Sequence, residues 1–127
     1  MDIGIGFDMI MKVDVNKVLI LECLQELGDL IYQRRVWVNG VENEVSGLED
    51  TVAALFDDSA LDIALKRNEE TFSFEIDAKF RKLSNMIDML NRDRLTAEII
   101  ETEEWGEVML LADSLYKSFN FGLTGSE

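Results

Sequence analysis

The chain is 127 residues long and carries 26 acidic residues against 12 basic ones, for a formal net charge of -14, with no histidine and a single cysteine. That length is one domain, 1–127, able to bury roughly two-thirds of its unfolded surface without a metal or cross-link. The missing histidines exclude Ser-His and Cys-His catalysis, the lone Cys23 excludes an internal disulfide, and the acidity opposes nucleic acid and anionic membrane while favouring a basic partner.

No run of about 18 apolar residues and no secretory leader pattern is present, so the expected address is the cytoplasm. Along residues 1–13, Ile3, Ile5, Phe7, Met9, Met11 and Val13 share one parity, the period-two pattern of a half-buried strand; a mobile arm is the alternative. Asp14 then fits a helix N-cap. Ile20, Leu24, Leu27 and Ile31 line one side of the helix that follows, with Glu22, Gln25, Glu26, Asp29 and Gln33 opposite, which predicts a central core helix containing a packed Cys23.

After it, Val36-Trp37-Val38-Asn39-Gly40-Val41 fits a tight hairpin or a simple turn, because Asn-Gly accepts the positive φ values of a type I′ turn. Trp37 is expected to pack beside the core helix. At least one of Arg34 and Arg35 is expected to pair with a nearby carboxylate such as Asp57 or Asp58, or to stack on Trp37; an anion site is the functional alternative. Ser46-Gly47-Leu48-Glu49 matches a capping box ahead of a helix to about Phe56, and Ser59-Ala60-Leu61-Asp62 a second box ahead of a short helix to about Lys66.

Phe72, Phe74 and Ile76 alternate against Ser73 and Glu75, which predicts a second strand over 71–76. Asp77 is expected to cap a helix built on Phe80, Leu83, Met86, Ile87 and Leu90. The 95–101 stretch reads equally as strand or helix. Thr102 introduces a last helix whose Trp105, Val108, Ala112, Leu115 and Phe119 form a buried stripe, and 122–127 is a flexible tail. The expected fold is α+β, mainly α, with about four main helices and a small antiparallel sheet joining the N-terminal strand to the 71–76 strand.

Tyr32-Gln33-Arg34-Arg35-Val36-Trp37, then Phe56-Asp57-Asp58, then Glu104-Trp105 before a final amphipathic helix resemble a set of small acidic uncharacterised bacterial proteins with YQxRVW and LFDD motifs, some of them similar to the immunity proteins of bacterial toxin systems. The resemblance implies no catalytic residues. Its signature positions in this chain would be Tyr32, Arg35, Trp37, Phe56, Asp57 and Asp58.

Two acidic clusters flank the tryptophans: Glu42, Glu44, Glu49 and Asp50, and Glu98, Glu101, Glu103, Glu104 and Glu107. A solvated face or a favourable macrodipole explains such runs in part, but acid around an aromatic anchor also suits capture of a basic protein. The leading expectation is therefore a cytoplasmic immunity or antitoxin-like protein that neutralises a basic toxin, such as a nuclease, through Glu42, Glu44, Glu49, Asp50, Glu101, Glu103 and Glu104. It would need no cofactor, nucleic acid or membrane. Rival readings are a small metal-dependent hydrolase using Asp57, Asp58 and Asp62, and a homo-oligomeric adaptor, such as a homodimer joined through the N-terminal strand.

Overall fold

The computed structural model describes residues 14–40, 47–67 and 70–123, with side chains described to 119. Among them there are seven α-helices and no strand, so the expected α+β fold is corrected to an all-helical one. The helices are α1 (Lys17–Leu27), α2 (Leu30–Tyr32), α3 (Leu48–Ala53), α4 (Leu61–Leu65), α5 (Phe74–Asp88), α6 (Thr96–Ile99) and α7 (Glu103–Leu123). Two π-helical segments, Gln33–Val38 and Ala54–Asp58, continue α2 and α3 without a break. The expected N-terminal strand lies outside the described residues.

The 71–76 segment is a turn into α5 rather than a strand. Ser73 is the N-cap, its Oγ accepting from the Ile76 amide at 3.1 Å. Asp77 does not cap. It is buried one turn further in, where its carboxylate accepts the amides of Thr71 at 2.7 Å and Phe72 at 3.0 Å. With those donors satisfied inside one segment there is no call for a sheet partner. The apolar alternation is divided: Phe72 turns inward against Phe80 and Phe119, while Phe74 is 81% exposed.

α7 is the axis of the bundle, packing along α1 on one side and α5 on the other. Its stripe of Trp105, Val108, Ala112, Leu115 and Phe119 is buried as the helical spacing predicts. Thr102 caps it, Oγ1 accepting from the Trp105 amide at 3.1 Å. From α1 come Ile20, Cys23, Leu24 and Leu27, and from α5 Phe80, Leu83 and Ile87. Phe72, Phe80 and Phe119 meet ring to ring with centroids 4.7–6.0 Å apart.

The core helix is shorter than its apolar spacing suggests. It is capped by Asn16 rather than Asp14, Oδ1 accepting from Leu19 at 3.0 Å, and ends at Gly28. Asp29 then caps α2 through the Tyr32 amide at 3.0 Å. This break resets the helical register, so Ile31, expected inside, is 78% exposed while Gln33, expected outside, is fully buried. The hairpin expected from 36 to 41 is likewise absent over its described residues: 36–38 are π-helical, and Asn39 has φ -85° while Gly40 has φ +73°, one positive φ instead of two.

Ser46 of the first capping box lies outside the described residues, and the second box does not form as expected. Gly47 is the N-cap of α3, with no side-chain bond. Ala60 occupies that place for α4, in the left-handed region at φ +70°. The ambiguous 95–101 stretch contains the short α6, which packs on the Gln33–Val38 segment.

Candidate functional site

A π turn spends one more residue than an α turn and bends the helix where it occurs. In the Ala54–Asp58 segment this arrangement sends Leu55 and Phe56 into the core and leaves Asp57 and Asp58 outside. Ser59 ties the segment off. Its amide donates to the Ala54 carbonyl at 3.1 Å, its buried hydroxyl donates to the Leu55 carbonyl and accepts from the Leu61 amide, and its own carbonyl accepts from Asn16, anchoring the start of α1.

Beside that segment runs a groove of about 630 Å³, walled by α3, α4 and α5. Val52, Phe56 and Leu65 supply its apolar lining, and Asp57, Asp62, Asp88, Glu49, Lys66, Arg81 and Arg92 its charges. Two of the cations are ion-paired and the third is hydrogen-bonded to a carbonyl, while Arg92 Nη1 is buried without a hydrogen-bond partner among the described residues. Lys66 Nζ lies 2.9 Å from Asp62, whose hydrogen bond and charge hold the ammonium pKa above its ordinary value, with a smaller contribution from Asp57. Arg92 Nε lies 3.4 Å from Glu49, and Arg81 Nη2 donates to the Leu65 carbonyl at 2.8 Å. Among the described residues, Asp57 and Asp88 have no salt-bridge or hydrogen-bond partner for their carboxylates.

The Tyr32–Trp37 signature builds something different, a buried polar junction. Gln33 Nε2 donates to the carbonyls of Glu26 and Leu27, both at 2.9 Å, at the C-terminal end of α1. Its Oε1 accepts from Trp105 Nε1 at 2.9 Å. One side chain thereby joins α1, α2 and α7. Trp37 is half-buried and meets Trp105 and Tyr32 edge to face, at 6.0 and 6.4 Å between centroids. Its indole N–H is buried without a partner among the described residues.

Arg34 pairs with Glu101 at 2.8 Å and the Arg35 guanidinium lies 5.7 Å from the Tyr32 ring centroid. The Arg34–Glu101 pair meets the expectation that at least one of the two arginines binds a nearby carboxylate, with Glu101 in the place of Asp57 or Asp58. Tyr32, Arg35 and Trp37 thus surround a structural junction, while Phe56, Asp57 and Asp58 border or adjoin the groove.

The acidic clusters are not uniform. Glu42 and Glu44 lie outside the described residues. Glu101 is engaged by Arg34 and Glu49 by Arg92. Asp50 opens α3 and Glu103 and Glu104 open α7, exposed and without salt-bridge partners among the described residues. The helix macrodipole favours acids in those first turns. No three Asp, Glu, Cys or His side chains among the described residues converge as metal ligands, and Asp62 is committed to Lys66. Burial, followed by Glu26, Glu22 and Asp58, pushes the Cys23 thiol up to about 12, which leaves it a packing group rather than a nucleophile.

Gln33, Asp77, Arg81, Asp88 and Arg92 acquire their roles only in three dimensions. Ser73, with Glu75 and Asp77 after it, carries a helix-start signal that could have displaced the strand reading at 71–76. The pairings across the groove leave no mark in the linear chain.

The fold and site define an acidic helical domain with an amphipathic surface groove and a polar junction at its centre. The chain belongs to the DUF7945 family, a domain of unknown function whose family model matches residues 14–119. No curated protein and no solved structure matches it. Among the described residues no helix is long and apolar enough to cross a membrane.

Proposed function

We propose that this protein is a cytoplasmic immunity or antitoxin-like protein that neutralises a basic toxin, such as a nuclease, by covering its positive face. The observation that carries the reading is the set of exposed carboxylates Asp50, Glu103 and Glu104, free of salt-bridge partners among the described residues, in a chain of formal net charge -14. An acidic surface of this kind complements the positive cleft of a protein that grips phosphate. It acts mainly on the rate of encounter, so the reading makes a kinetic claim.

A secreted toxin encoded immediately upstream is the expected genomic neighbour and the partner to test. Stopped-flow association with it should slow steeply as the screening length shrinks from about 30 Å to about 8 Å between 0.01 and 0.15 M salt. Reversal by Glu103→Lys with Glu104→Lys should slow association further while changing folding stability by less than about 1 kcal/mol per site, as expected for exposed charges. Unchanged on-rate, together with full protection of toxin-expressing cells by the double variant, rules out the α7 face as the contact.

A further inference from the structure

We propose that the groove between α3, α4 and α5 is the docking site for an arginine side chain of the basic partner, an inference that rests on the function proposed above. The exposed acids at the helix starts can steer a partner, but steering charges hold little of the binding energy; that resides in side chains inserted into desolvated pockets. The groove of about 630 Å³ is a concavity suited to such an insertion, within the size range of ligand pockets.

Its chemistry selects the occupant. Lys66 is ion-paired with Asp62 and Arg92 Nε with Glu49, while Arg81 donates to the Leu65 carbonyl and Arg92 Nη1 has no partner among the described residues, so the charges outside those two ion pairs are Arg81 against Asp57 and Asp88. The lining carboxylates with no hydrogen-bond or salt-bridge partner among the described residues are Asp57, from the π-helical segment, and Asp88, from the last turn of α5. Val52, Phe56 and Leu65 give an apolar lining between the charged walls. An arginine satisfies both halves of this arrangement. Its methylene stem covers apolar surface, and its planar guanidinium offers five donors that can be divided between two carboxylates, where a lysine offers a compact and strongly hydrated charge.

The test is an NMR titration of the full-length 15N-labelled protein with acetyl-Gly-Gly-Arg-Gly-Gly-amide at low salt, beside peptides with Lys or Gln at the centre. Saturable shifts are expected at amides of residues 52–57 and 84–88, weaker binding by the Lys peptide, and none by the Gln peptide. Asp57→Asn with Asp88→Asn should weaken the Arg peptide at least tenfold. Both side chains are exposed, so the fold should survive; Asp88→Asn alone serves if the pair does not fold.

Shifts confined to the start of α7 would overturn the groove and leave the basic-partner reading standing. Equal binding of the Lys and Arg peptides, or an unchanged affinity in the Asn variants, would overturn the arginine assignment. Absence of any saturable shift would overturn the groove, and only a salt-insensitive on-rate with the toxin would remove the underlying reading as well.

Discussion

Gln33→Met is the sharpest probe of what holds this fold together. Methionine keeps an unbranched stem of similar volume in the buried site, so the change removes hydrogen bonding with little change in packing. Three partners are affected. The Glu26 carbonyl keeps the Asp29 amide at 3.2 Å, so its loss is about the 1 kcal/mol of an ordinary net hydrogen bond. The Leu27 carbonyl and the Trp105 indole N–H lose the bonds that Gln33 makes to them, and each costs about 1–3 kcal/mol as a buried polar group left unpaired.

The expected loss is about 4 kcal/mol, a large part of the roughly 5–15 kcal/mol that a domain has in total. In urea, with a slope of about 2 kcal/mol/M, the midpoint should fall by about 2 M without a change in slope. Far-UV circular dichroism follows it without depending on the tryptophans. Trp105→Phe isolates one bond of the three and should cost less in the Gln33→Met background than in the natural chain. A loss below about 1 kcal/mol, or an additive double-mutant cycle, would show that the junction is incidental to stability.

Three further outcomes follow from particular residues. Asp77→Ala should cost about 2–4 kcal/mol and speed hydrogen exchange at the Thr71 and Phe72 amides, whereas Asp77→Asn, which keeps one acceptor oxygen, should cost about half as much. Ala60→Gly should raise stability by about 0.5–1 kcal/mol in thermal melts, because the left-handed φ of +70° is strained for alanine and free for glycine. Cys23 should react with Ellman's reagent far more slowly in the native protein than in urea. Since its thiol stays protonated in the fold up to about pH 12 while the unfolded chain ionises near 9.0, the folded state binds more protons in that window; stability should fall as pH rises from 9 to 12, and Cys23→Ala should remove that part of the alkaline loss.

The stripe from Trp105 to Phe119 and the run from Ile20 to Leu27 were legible because burial on a straight helix follows its 3.6-residue period and nothing interrupts them. Legibility ended where the register changed. Gly28 and Asp29 restart the helix, and a wheel drawn through them assigns Ile31 and Gln33 to the wrong sides. At 71–76 three alternating apolar residues satisfied the strand pattern, but the deciding groups were polar: the Ser73 cap and the Asp77 carboxylate that takes the two amides before it. The site was legible only in pieces. Glu103, Glu104, Asp57 and Asp58 are exposed, but the groove depends on Arg81 and Arg92, whose partners come from other helices, and on Asp88, which lines the same groove.

The two π-helical segments also bear on how chain length can vary in this family. A π turn is an α turn with one residue inserted, and the downstream helix is rotated by roughly 100° per residue gained or lost. Tyr32 and Trp37 are in edge contact at a spacing of five, a separation that an α-helix would turn well apart. A relative lacking one residue between them would recover the same ring contact at a spacing of four in ordinary α geometry. Single-residue gaps should therefore gather at 33–38 and 54–58 when relatives are aligned, and an aligner that moves them into the flanking helices would misplace every side chain up to the next loop.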